Sequence, residues 1–155
     1  MKKTAERCCG RAVHPKEARL DETTLDAFDL SVLEISRYYW QTFAYPQAHS
    51  WLDALQTTAD RFPHSGGLET GIDVLAAVQA MRSSRCSCFH FNNPRCAGCS
   101  AYLSEHERQF ISILSAVRHG RMGQARTHAM LLCEGNPVDQ LIARMVRLAE
   151  RAPAL

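Results

Sequence analysis

Between Arg82 and Ser100 the chain reads Arg-Ser-Ser-Arg-Cys-Ser-Cys-Phe-His-Phe-Asn-Asn-Pro-Arg-Cys-Ala-Gly-Cys-Ser, and four of its seven cysteines lie there. Their spacing, Cys86-x-Cys88-x-His90 followed by Cys96-x-x-Cys99, suits metal ligation. Zinc takes four donors in a tetrahedron, with cysteine bound as thiolate. A Cys-x-x-Cys turn lets two sulfurs converge on one ion; Gly98 gives that turn freedom and Pro94 stiffens its approach. If residues 86–90 are extended, Cys86, Cys88 and His90 fall on one side, because side chains alternate along an extended chain. The spacing therefore predicts zinc held by Cys86, Cys88, Cys96 and Cys99, with His90 the substitute for one of the first two.

Two other thiol chemistries compete. An iron–sulfur cluster also takes four cysteines, but the ferredoxin spacings are missing. A redox-responsive dithiol needs only Cys96 and Cys99; the thioredoxin arrangement would set them at a helix start within a strand-helix-strand unit, whereas the first capped helix after them is expected to begin at Ser104. No acidic residue occurs from Val74 to Ser104, while Arg82, Arg85 and Arg95 flank the cysteines. That positive field would offset the charge of a thiolate-bound ion and would equally lower a free thiol's pKa. Cys133 reads as a buried thiol at a helix end. Cys8 and Cys9 lie in a basic arm, and His106 and His128 fall on helices.

Seven cysteines, clustered rather than spread, are not a secreted disulfide framework. Met-Lys-Lys-Thr-Ala resembles the start of a signal peptide, but Glu6, Arg7, Arg11, Lys16 and Glu17 interrupt any apolar stretch behind it. No run approaches the ~18 apolar residues of a membrane span. The compartment expected is the reducing cytoplasm. A length of 155 residues fits one domain, and a net charge of +2 argues for neither nucleic acid nor membrane.

The elements that must position the cysteines are helices. Residues 1–20 hold six Lys/Arg against two Glu and read as a flexible basic arm, leaving residues 21–155 as a single domain. Ser31-x-x-Glu34 is a capping-box candidate, with Val32, Ile35, Tyr39 and Phe43 behind it at helical spacing. The aromatic run from Tyr38 to Tyr45 serves either core or partner surface. A second helix is expected after Pro46, burying Trp51, Leu52, Leu55, Ala59 and Phe62; a third buries Leu68, Ile72, Leu75, Val78 and Met81. Beyond the cysteine loop, Ser104-x-x-Glu107 caps a helix carrying Phe110, Ile111, Leu114 and Val117, with Gly120 as its stop. Met122, Ala125, Ala129 and Leu132 line the next. Asn136-Pro137 opens the last, with Val138, Leu141, Ile142, Met145 and Leu148. No alternating strand is evident.

The fold class expected is all-α: a single-domain bundle of about six helices, with an irregular Cys-rich metal-binding loop, 82–100, between helices 3 and 4. No nucleotide loop, nucleophile elbow or zinc-protease motif is present. The reading is a non-enzymatic cytoplasmic regulatory or adaptor protein whose structural zinc shapes a loop for a protein partner. The alternative is a thiol redox, metal-sensing or electron-transfer component using the Cys86–Cys99 cluster. A DNA-binding regulator working through the C-terminal helices comes third, since Glu105, Glu107, Glu134 and Asp139 dilute Arg118, Arg121 and Arg126.

Overall fold

The computed structural model describes residue 10 and residues 12–155. Among them the protein is mostly helical: α1 (Ala27–Ala44), α2 (Ser50–Arg61), α3 (Gly67–Ser84), α4 (Ala97–Ser100), α5 (Glu105–Arg118), α6 (Met122–Leu132) and α7 (Asp139–Ala149). Six are the expected helices. The single turn α4 is an addition inside the cysteine loop. A two-residue antiparallel pair, β1 (Ala18–Arg19) with β2 (Tyr102–Leu103), was also not expected. It ties the end of the basic arm to the far side of the loop, and Leu20 N–H extends it by donating to Ala101 O at 2.9 Å. Most of the rest of that arm, Cys8 and Cys9 included, lies outside the described residues.

α1 is the central helix, packed against α2, α3 and α5. It starts one turn earlier than Ser31 suggests. Asp26 caps it, accepting from Asp29 N–H at 2.9 Å, while Ser31 sits inside the helix and donates to Ala27 O. An aspartate at the N-terminus gains from the helix dipole as well as from the hydrogen bond, so it outcompetes the serine. Arg118, from the end of α5, closes this corner by bridging Asp26 and Asp29, at 2.8 Å to each.

The two expected stripes on α2 and α3 are corrected by the structure. Ser50, Ala54 and Thr58 form the buried face of α2, and Trp51, Leu52, Leu55 and Ala59 are exposed. On α3, Val74, Ala77, Val78 and Met81 are buried, while Leu68 and Ile72 are not. The cause is close approach. A Cβ placed on Gly71 would lie 2.8 Å from Thr58 Cγ2, and one on Gly67 would lie 2.1 Å from Phe62 O. Only small residues fit such a crossing, so the large ones are turned outward.

The C-terminal stripes hold except at Met122, which is exposed at the start of α6. Phe110, Ile111 and Leu114 of α5, Ala125, Ala129 and Leu132 of α6, and Leu141, Ile142, Met145 and Leu148 of α7 are buried together. α7 also packs on α3, where the buried carboxylate of Asp73 accepts from Arg147 Nε at 2.9 Å and Arg151 Nε at 2.8 Å. Asn136 and Pro137 do not start α7. They fasten the end of α3 instead: Asn136 Nδ2 donates to Ser84 O, and Pro137 O accepts from Ser84 Oγ.

Candidate functional site: the cysteine loop and its aromatic cleft

A buried arginine holds the C-terminal end of the loop. Arg37 of α1 makes a bidentate pair with Glu107 of α5, at 2.7 and 3.0 Å, with both side chains almost fully enclosed. Its remaining donors go to Ser100 O at 2.8 Å and Tyr102 O at 2.6 Å. Glu107 accepts in addition from Ser104 N–H, completing the expected capping box, and from Asn92 N–H at 3.0 Å. Desolvating two charges is expensive, and the pair is sustained only because nearly every donor and lone pair around it is used. Its effect is to pull residues 92 and 100–104 onto α1.

Glu134, beyond α6, holds the N-terminal end. Its carboxylate accepts from Cys86 N–H at 2.9 Å, Ser87 N–H at 3.2 Å and the Ser87 hydroxyl. These bonds, the hydroxyl's first, hold its carboxyl down to about 2. Glu134 adopts φ 59°, a left-handed conformation unusual for a side chain with Cβ. Arg85 spans the same corner, donating to Leu132 O at 2.5 Å and Cys88 O at 3.3 Å.

The middle of the loop rests on His106 of α5. Its Nδ1 accepts from His90 N–H at 2.9 Å, its Nε2 lies 3.1 Å from Arg85 Nη2, and its ring stacks on that of His90 at 5.2 Å. Burial first, then the Arg85 charge, pushes the His106 ring below the usual histidine value. A neutral ring is the form that can accept the His90 amide.

Between the loop and the C-terminal half of α1 opens a cleft of about 780 Å³. Trp40 forms its floor, with Phe89 at 4.4 Å and Phe91 at 6.2 Å between ring centres. Phe43 and Tyr45 stand exposed at its edge, and the Arg82 guanidinium lies 3.6 Å above the Phe43 ring. The aromatic run thus serves both roles: Tyr39 and Trp40 are core, Phe43 and Tyr45 are surface. Among the described residues no carboxylate lines the cleft.

Cys88, His90 and Cys99 also line this cleft. Cys96 sits beside Cys99 as the N-cap of α4, its Sγ accepting from Cys99 N–H at 3.4 Å. This corrects the expectation that no helix begins at the Cys-x-x-Cys. Cys96 is disulfide-bonded, whereas Cys86, Cys88, Cys99 and Cys133 remain thiols. Cys86 is not part of the cleft; it is exposed, with Sγ 3.6 Å from Asn136 Nδ2. Residues 85–93 form no strand, so the alternation that would align Cys86 with Cys88 and His90 does not apply. Among the described residues no group of three or more His, Cys, Asp or Glu is gathered closely enough to hold a metal ion. Cys133 lies in the core, its thiol pushed up by burial.

No protein-family model, curated protein or solved structure matches the chain. The chemistry must be argued from these residues alone. No described helix is long and apolar enough to cross a membrane.

Sequence reasoning missed Arg37 as the loop's anchor. The signal was present: Leu33, Arg37 and Trp40 lie at spacings of four and three, on one face of α1. A single arginine inside such a stripe must find a buried acid. Asn92 and Glu134 left no comparable mark, because their partners lie in other segments and several of them are backbone groups.

Proposed function

We propose that this protein is a non-enzymatic cytoplasmic regulator or adaptor that receives a protein partner in the aromatic cleft, with the thiols of the loop controlling the shape of one wall. The observation that carries this reading is the contrast within the loop. Its ends and middle are fastened by Arg37–Glu107, Glu134 and His106. Yet Cys88 and His90 are exposed on a cleft lined by five aromatic rings, with buried Cys99 in its wall. Aromatic surface of this kind gives large contact area at low entropic cost and is typical of recognition sites.

Zinc is the ion we propose for the thiols. Among the described residues no three such groups stand close enough to hold an ion as they are, so binding would draw Cys88, His90, Cys99 and, once its disulfide is reduced, Cys96 together around the zinc. A tetrahedral thiolate–imidazole set closed on all sides would be structural rather than catalytic. Protein purified under reducing conditions should contain one zinc per chain by elemental analysis, lost in Cys99→Ser and retained in Cys86→Ser. A photo-crosslinking residue in place of Tyr45 should yield one defined protein adduct that the same residue at Glu150 does not. Identical adducts at both positions would sink the partner reading.

A second reading, a thiol redox switch, is favoured by the disulfide at Cys96 beside the Cys99 thiol. The Cys99 thiolate can attack the Cys96 sulfur. The Cys96–Cys99 bond then forms as the earlier sulfur–sulfur bond breaks, and the displaced thiolate takes up a proton. Peptide mapping under non-reducing conditions would show the Cys96–Cys99 bond if exchange occurs. Metal-free protein together with this bond would favour the switch over zinc.

A further inference from the structure

We propose that the outward face of α3 is a self-association surface, on which two copies of this chain pair about a twofold axis. The inference is independent of the cysteine loop. Leu68, Ile72 and Leu75 follow one another at spacings of four and three, the alternation of a helix–helix seam. Leu68 is 65% and Ile72 56% exposed, Leu68 being the most exposed large apolar side chain in the described helices. The remainder of α3 is already committed, to α2 through Gly71 and to α7 through Asp73. Beyond Leu68, the residues Ile72, Leu75, Ala76 and Ala80 of the same face line a groove of about 340 Å³ between α3 and α7, with Gln140 and Arg144 on α7. A protruding apolar end and a recessed one therefore share one helix, about three turns apart.

The two ends are complementary to each other, which selects a second copy as the occupant. The protruding end carries the exposed acid Glu69, and the recessed end carries the exposed base Arg144. Neither is ion-paired among the described residues. With the twofold axis between Ile72 and Ala76, α3 of one protomer runs antiparallel to α3 of the other. Ile72 of each protomer then rests on Ala76 of the other, large against small. Leu68 enters the groove beside Ala80, and Glu69 faces Arg144. Every contact occurs twice, as an isologous interface requires.

Sedimentation velocity of the full chain across a concentration series tests this, in reducing buffer so that exposed Cys86 and Cys88 form no crosslinks. The expected result is a reversible monomer–dimer equilibrium. Ile72→Asp should convert it to monomer with an unchanged far-ultraviolet circular dichroism spectrum, since Ile72 is outside the core. Glu69→Arg and Arg144→Glu should each weaken the dimer several-fold, and the double variant should restore it. A chain that stays monomeric at every concentration, a dimer that survives Ile72→Asp, or a charge-swapped pair that fails to recover would overturn the proposal.

Discussion

The α5–α7 region and the crossing of α2 with the start of α3 both carry apolar residues at helical spacing, but they bury opposite members of the pattern. In α5–α7 the innermost side chains are the large ones, Phe110, Leu114, Leu132, Met145 and Leu148. Where α2 crosses the start of α3 they are Ser50, Ala54, Thr58, Gly67 and Gly71, with Leu52, Leu55, Leu68 and Ile72 left outside, while further along α3 buries Val74, Val78 and Met81. Interaxial distance accounts for the difference. Helices held apart by large side chains interlock those side chains, whereas helices in near-backbone contact exclude them. An apolar stripe therefore says that a helix has two faces, and the neighbour's distance decides which face is covered.

The charge clasp between α1 and α5 should be the most sensitive point of all. Arg37→Met leaves Glu107 buried without its cation and removes one donor each from Ser100 O and Tyr102 O, and should cost about 3–5 kcal/mol in urea unfolding. A loss below about 1 kcal/mol would mean that water reaches Glu107 and the enclosure described is wrong. Within the C-terminal region, Met145→Ala removes a fully buried side chain and should cost about 2–5 kcal/mol by thermal or chemical denaturation. In the hairpin the dangerous change is enlargement. Gly71→Val drives methyl groups into Thr58 and should cost about 1–3 kcal/mol. Gly123→Ala in α6, where nothing lies within 4 Å of the added Cβ, should instead stabilise by up to about 1 kcal/mol. Equal effects at the two glycines would remove the close-approach explanation.

The fourth expectation concerns pH. Because the folded protein holds the His106 ring below the ordinary value of 6.5, the unfolded chain binds the proton more readily. Stability from this ring is then complete above that pH and declines as pH falls through it toward the lowered folded value. The His90 amide resonance should titrate along with the ring, and His106→Gln should remove this part of the slope. A ring titrating at its ordinary value by proton NMR would contradict the arrangement. The smallest effect is expected on the open side of the hairpin. Leu52→Ala should change the unfolding free energy of dilute protein by no more than about 0.5 kcal/mol, although it deletes as much apolar volume as a core substitution.

Much of the helical framework was legible in advance. The Ser104–Glu107 box, the left-handed stop at Gly120 and the stripes of α6 and α7 are set by neighbours three or four residues apart, so the sequence carries them locally. The cysteine spacing marked the correct loop but not its internal arrangement. Cys88, His90 and Cys99 reach one cleft and Cys86 does not, because Glu134, 48 residues away, pulls the Cys86 amide toward the end of α6.

The sequence by itself determined that this chain is helical, where its helices lie and which segment concentrates the thiols, since each depends on propensity, capping and spacing within a few residues. Only the tertiary structure decided that Trp51, Leu52 and Leu55 face outward, that Arg37 and Glu107 meet across 70 residues, and that aromatic rings from α1 wall the cleft that Cys88 and Cys99 also line. Those outcomes depend on how near two helices can come and on which distant group satisfies a buried charge. Neither quantity is written in any local stretch of the chain.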